Sequence, residues 1–224
     1  GKKFLIIDDS ALMRRVISDI IKENYDDVEA LDTAVNGLEG FDKLVSKPGY
    51  YDLVILDINM PKMNGLELLE MLQKNRMNET VVVVSTVARE SAAETIRALE
   101  LGAIDFLKKP ENFYEVKSEG FKTKLLKLIE VVTGRYLNKK NLIPHKKNSA
   151  PVIIPARNHV EAQPAGIIRS SNSKNHTRIV AIACSTGGPK SLQQVIPFLD
   201  EKLDAPVVLV QHMPKGFTLS LARR

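Results

Sequence analysis

An α/β fold built on a doubly wound, five-stranded parallel sheet is predicted for residues 1–134, followed by a linker and the beginning of a second doubly wound α/β unit. Three observations predict it. Short apolar runs alternate with amphipathic stretches of helical period through the first 134 residues. Those runs are too apolar to face water on either side, so helices must cover both faces of the sheet. The alternation stops at residue 135 and restarts at residue 178.

The elements follow in order. "KFLIIDD" reads as a buried strand. "SALMRRVISDIIKEN" is a helix capped by Ser10, with Leu12, Val16, Ile17, Ile20 and Ile21 expected on one face. "VEALDTA" is the second strand, and a helix runs from Gly37 to about Ser46. "DLVILD" is the third strand, and Asn64 caps the helix in "GLELLEMLQKN". "VVVVS" is the fourth, "ESAAETIRALELG" a helix stopped by Gly102, and "IDFLKKP" the fifth strand. A last helix is expected from about Tyr114 to Val132.

Residues 135–177 are rich in Pro, Ser, Asn and Lys and lack period, which predicts an interdomain linker. "VIIP" within it could dock as a short strand. Residues 178–224 then give the strand "RIVAIAC", the helix "KSLQQVIPFL" with Pro189 in its first turn, the strand "APVVLVQHMP" and the start of a helix in "FTLSLARR". Two strands are too few for an independent core, so this stretch reads as the truncated start of a domain. Such a piece is expected to be disordered, aggregated or held by a partner surface.

Composition narrows the function classes. The chain has 224 residues, 44% hydrophobic and 26% charged, as in an ordinary globular protein. No run approaches 18 apolar residues, so no membrane insertion is expected. The N-terminus turns acidic too soon for a signal peptide. Cys184 is the single cysteine, which fits a reducing compartment, and the cytoplasm is the expected location. The net charge of +5 is carried by residues 135–178, with nine Lys/Arg against one Glu. Residues 1–134 are net acidic. A basic linker with almost no aromatics and no zinc-ligand spacing gives no case for nucleic acid binding.

Chemistry in an open parallel sheet gathers beyond the carboxyl ends of its strands. Asp8 and Asp9 fall there after the first strand, Asp57 after the third, Ser85 after the fourth and Lys109 after the fifth. Three adjacent carboxylates repel one another by about 4 kcal/mol per pair at 4 Å and an effective dielectric near 20. A hard divalent cation such as Mg²⁺ would offset that, and phosphoryl transfer onto a carboxylate is the chemistry such a pocket suits.

"IACSTGGPKS" raises a different possibility. A phosphate-binding loop would need a glycine, four residues and then Gly-Lys-Ser/Thr; here Pro189 intervenes and the first glycine is missing. The turn fits a nucleophile better. Ser185 leaves a buried strand and precedes two glycines, which would let a substrate approach the backbone. The helix N-terminus beyond them favours a developing oxyanion. His212 stands at the carboxyl end of the next strand, where it could serve as the base.

"DDS", "LDINMPKMNG", "VVVVST" and "GAIDFLKKP" resemble the flavodoxin-like receiver domain of bacterial response regulators. The resemblance implies that Asp57 accepts the phosphoryl group and that Asp8, Asp9 and Asp57 hold Mg²⁺ with the backbone carbonyl of Asn59. It also implies that Ser85 and Lys109 contact the phosphoryl group and that Phe106 is the switch aromatic. "AIACSTGGPKSLQQVIPFL" and "APVVLVQHMPKGFTLSLA" resemble the start of the catalytic domain of the CheB family of chemotaxis protein-glutamate methylesterases. That resemblance implies Ser185 as nucleophile, His212 as general base, and the backbone around Thr186 near the oxyanion. It implies no cofactor for the catalytic domain. It further implies a chemotaxis histidine kinase and methyl-accepting chemoreceptors as partners, with glutamyl methyl esters hydrolysed and, in many members, glutamines deamidated. In that family the unphosphorylated receiver covers the catalytic cleft. The third catalytic residue is an Asp in a Gly-rich motif farther downstream, so residues 1–224 alone are expected to be inactive. The alternative is a stand-alone receiver, acting as a phosphate sink or docking module.

Overall fold

The computed structural model describes residues 1–85, 89–110, 119–134, 178–200, 202–213 and 217–222. The first part alternates β1 (Lys2–Ile7), α1 (Ala11–Asn24), β2 (Val28–Ala34), α2 (Gly37–Ser46), β3 (Leu53–Asp57), α3 (Gly65–Lys74), β4 (Val81–Ser85), α4 (Arg89–Glu100), β5 (Asp105–Lys108) and α5 (Glu119–Thr133). The strands form one sheet in the order β2-β1-β3-β4-β5, and every pairing is parallel.

Strand periodicity builds two cores from one sheet. Leu5, Ile7, Val54, Leu56, Val81 and Val83 point to the face covered by α2, α3 and α4. Phe4, Ile6, Leu53, Ile55, Val82 and Val84 point to the face covered by α1 and α5. Each such fully buried side chain contributes roughly 1.5–3 kcal/mol over an exposed one. Apolar residues at consecutive positions are what two covered faces demand.

Side chains start the helices where the sequence places their caps. Ser10 accepts from the Met13 N–H and Asn36 from the Glu39 N–H. Asn64 and Glu67 form a reciprocal capping box at 2.9 and 2.7 Å. Gly102 takes φ +111° after α4, a conformation an L side chain rarely adopts.

The structure departs from the sequence expectation on α1. Leu12 is exposed, and Met13 joins Ile17, Ile20 and Ile21 in the buried stripe. Positions 13, 17, 20 and 21 follow the 3.6-residue period, and Leu12 falls just outside it. The described part of α5 begins at Glu119, and residues 114–118 lie outside the described residues. So do the linker and its "VIIP" stretch.

The second part contains β6 (Val180–Cys184), α6 (Gly188–Val195), β7 (Val207–Gln211) and α7 (Phe217–Ala222). A 3₁₀ turn over Ile196–Phe198 replaces the last turn of the longer helix expected there. Pro197 sits in this turn, and proline lacks the N–H that would continue an α-helix. β6 and β7 pair in parallel.

This second part rests on the β5 edge of the first. The Lys190 ammonium donates to the Gly102 carbonyl at 3.1 Å. Phe217 is 1% exposed and stacks on Phe106, with centroids 4.8 Å apart and planes 18° apart. Leu221 packs against the core on the α2–α4 side. This short piece, expected to be disordered, aggregated or held by a partner, instead packs on the chain's own α4–β5 edge.

Candidate functional site

The carboxyl ends of β1, β3 and β5 converge on an acidic pocket. Asp8 follows β1, and its buried Oδ1 accepts the Ser10 N–H at 2.8 Å. Asp57 ends β3 and is 4% exposed. Asp9 is exposed at the rim. Carboxylate oxygens of all three lie within 4.8 Å of one another. Arg14 steadies this loop by donating to the carbonyls of Asp8 and Asp9 at 2.7 and 3.0 Å.

Lys109 enters the pocket from the end of β5. Its ammonium donates to Asp57 Oδ2 at 2.8 Å and lies 3.0 Å from Asp8 Oδ2. Burial, followed by the neighbouring Asp8 charge, pushes Asp57 up to about 6. Burial raises Asp8 as well, against the pull of Lys109. For Lys109 burial acts downward, but the bond to Asp57 and the charges of Asp57 and Asp8 outweigh it and raise its pKa.

Three carboxylates and one ammonium leave the pocket short of positive charge when all are ionised. The oxygen donor set and the raised carboxylates both fit a hard divalent cation. Asn59 is exposed two residues beyond Asp57. Ser85 closes β4 opposite Lys108, and its side chain lies outside the described residues.

Gly65 fixes the far side of this loop. Its N–H donates to the Ile58 carbonyl at 2.8 Å. A Cβ there would strike the Asp57 carbonyl oxygen and stand 2.9 Å from Ile58 Cα. The glycine lets α3 start hard against the carboxylate loop.

A second cluster forms at the carboxyl ends of β6 and β7. Cys184 pairs with Gln211 as the last rung, and the His212 N–H donates to the Cys184 carbonyl at 3.0 Å. Ser185 and His212 therefore leave adjacent parallel strands side by side. Both are exposed, and among the described residues no hydrogen bond joins their side chains. Thr186 sits in the turn that follows, half-buried. Gly187 has φ +73° and ψ −6°, the values of the third residue of a type II turn, and the Gly188 N–H closes it on the Ser185 carbonyl at 2.8 Å.

Asp200 and Asp204 lie at the amino end of β7, about 17 Å of strand from His212. They cannot orient its imidazole.

The two clusters are joined through β5. Asp105, at the start of that strand, is buried; Oδ1 accepts the Phe106 N–H and Oδ2 accepts the Gly187 N–H at 2.9 Å. Burial raises the Asp105 pKa, while its two backbone donors and the His212 charge act downward. The strand thus carries Asp105 and Phe106 on the second part and, three residues beyond Phe106, Lys109 on Asp57.

Sequence reasoning singled out Phe106 and Lys109 but passed over Asp105, Gln211 and Phe217. A carboxylate opening an apolar strand was the available signal for Asp105. Phe217 of α7 stacks on Phe106 of β5 and the Gly187 N–H reaches Asp105, while Ser185 and His212 stay exposed.

Among the described residues no helix is long and apolar enough to cross a membrane. Residues 4–119 match the family model described as the response regulator receiver domain, and residues 180–224 match that of CheB methylesterase. A protein-glutamate methylesterase/protein-glutamine glutaminase of Geobacillus kaustophilus is 40% identical over 228 residues, covering 99% of this chain and 58% of the relative. The Bacillus subtilis protein of the same description is 38% identical, with 99% and 59% covered. The chain thus spans somewhat under three fifths of the length of these curated relatives. The crystal structure of the response regulator domain of Thermotoga maritima CheB aligns with a TM-score of 0.50 and 34% identity, covering 64% of this chain and 98% of that one.

Proposed function

We propose, on the premise that this chain belongs to the response regulator receiver family and continues into a CheB methylesterase segment, that it is the regulatory and nucleophile-bearing part of a phosphorylation-activated protein-glutamate methylesterase and glutaminase of bacterial chemotaxis. Residues 1–134 serve as receiver, 135–177 as linker and 178–224 as the start of the catalytic domain. Asp57 takes the phosphoryl group from a chemotaxis histidine kinase in the cytoplasm. Asp8, Asp9, Asp57 and the Asn59 carbonyl would hold Mg²⁺, which would supply positive charge to the transferring oxygens. Lys109 and Ser85 receive the phosphoryl oxygens.

In the hydrolytic step the Ser185 hydroxyl attacks the carbonyl carbon of a chemoreceptor glutamyl methyl ester, and His212 takes its proton. The proton passes to the departing methoxide, releasing methanol, and water then hydrolyses the acyl-serine. A glutamine side chain would react alike and release ammonia. The observation that carries this reading is the strand register that sets Ser185 beside His212 in a chain whose other part is a receiver.

Control runs through β5. Phosphorylation draws Lys109 toward the new charge and so alters the strand that holds Gly187 through Asp105 and Phe217 through Phe106. The catalytic reading is tested by methanol release from methylated chemoreceptor, using the intact protein that carries this segment. Ser185→Ala is expected to abolish release without affecting phosphorylation of Asp57. Normal turnover in that variant would remove Ser185 from the mechanism. Phosphorylation with no release by the wild type would leave a receiver acting as a phosphate sink.

A further inference from the structure

We propose that Gln211 is a positioning residue for the hydrolytic pair, an inference that rests on the reading of Ser185 as nucleophile and His212 as base. A parallel ladder stops holding its strands together where the last rung ends, and here that rung is Cys184 with Gln211. The residues that would do chemistry are the very next ones on each strand. Something has to hold them in register past the end of the sheet.

Gln211 does so with one nitrogen. Its Nε2 donates to the Ser185 carbonyl at 2.9 Å and to the His212 carbonyl at 3.0 Å. Those carbonyls belong to the nucleophile-bearing and the base-bearing residue. A primary amide has two N–H donors, so both bonds can form at once. The Ser185 carbonyl also accepts the Gly188 N–H, which fills its second lone pair. With the His212 N–H on the Cys184 carbonyl, the two strand exits are tied by backbone and side chain together.

The amide is closely packed, and its two bonds are both made by nitrogen: Oε1 of Gln211 is buried without a hydrogen-bond partner among the described residues. A Cβ on Gly188 would fall on that oxygen and stand 2.6 Å from Cys184 Cβ. The second glycine of "STGG" therefore makes room for the Gln211 side chain, whereas the sequence alone suggested room for a substrate. An amide that served only to cover the strand end would not need to reach these two carbonyls.

A shift of about 1 Å between reacting groups costs on the order of 100-fold in rate. The test uses the intact protein carrying this segment and methylated chemoreceptor. Gln211→Glu keeps the length but replaces both donors with acceptors that the two carbonyls repel. Gln211→Met keeps the length with no donor. We expect kcat to fall about 10- to 100-fold with KM changed less than twofold. Labelling of Ser185 by a small fluorophosphonate is expected to slow in proportion, with cooperative melting retained. Folded variants with kcat within twofold of wild type overturn the proposal. So does a loss of kcat with unchanged labelling, or failure of both variants to fold, which would make the role structural. A wild type that releases no methanol would instead overturn the methylesterase reading beneath it.

Discussion

Replacing Asp105 with alanine removes the buried carboxylate that holds the Ser185–Gly188 turn on the receiver edge. The lost contact is the 2.9 Å bond from the Gly187 N–H to Oδ2. Hydrogen bonds to a charged group contribute roughly 1.5–3 kcal/mol. Where the carboxylate regains water on undocking, the lower end applies. At about 1.4 kcal/mol per tenfold, the ratio of docked to undocked forms should drop by roughly 10-fold. The Phe106–Phe217 stack and the Lys190 bond to Gly102 remain, so the receiver itself should stay folded. Hydrogen–deuterium exchange on the chain reads this directly. Amides of 186–192 and 217–222 should exchange faster in Asp105→Ala, while those of β1 and β3 keep their protection. Unchanged exchange around Gly187 would refute the reasoning, because the contact would then contribute nothing to docking.

Two further outcomes follow from the acidic pocket. Asp57 has its folded pKa raised from 3.8 to about 6. Its neutral form is therefore favoured by folding, and that contribution to stability is lost as pH rises from about 4 through about 6. Binding of Mg²⁺ needs the ionised form, so affinity measured by calorimetry should climb with pH up to about 6 and level off above; affinity independent of pH from 5 to 7 would contradict this. Gly65→Ala should destabilise the receiver by about 1–3 kcal/mol in urea melts, because its Cβ collides with the backbone of Asp57 and Ile58. A neutral substitution would mean that the loop gives way easily.

The strands and helices of the receiver were legible because local patterning and tertiary environment agree there. "LVIL" is apolar at every position and is buried at every position. Asn64 followed by Glu67 signals a capping box and forms one. Leu12 was misread because a wide apolar face was assumed where the 3.6-residue period selects Met13. Asp105 was not legible, because its role arises from a residue 82 positions away in the chain. Gln211 was hidden for a similar reason: a polar residue at a strand end looks like an ordinary exit to solvent. Only the paired register turns its side chain onto the Ser185 carbonyl. The acidic pocket was easier, since three carboxylates at strand ends have few other uses.

Methanol release from methylated chemoreceptor, before and after acetyl phosphate with Mg²⁺, tests most directly the claim that charge on Asp57 governs Ser185 through β5. The account predicts that the intact protein turns over faster after phosphorylation, that Asp57→Asn does not respond, and that Asp105→Ala is already fast without phosphodonor. Equal rates with and without phosphodonor in the wild type, at confirmed phosphorylation of Asp57, would contradict it.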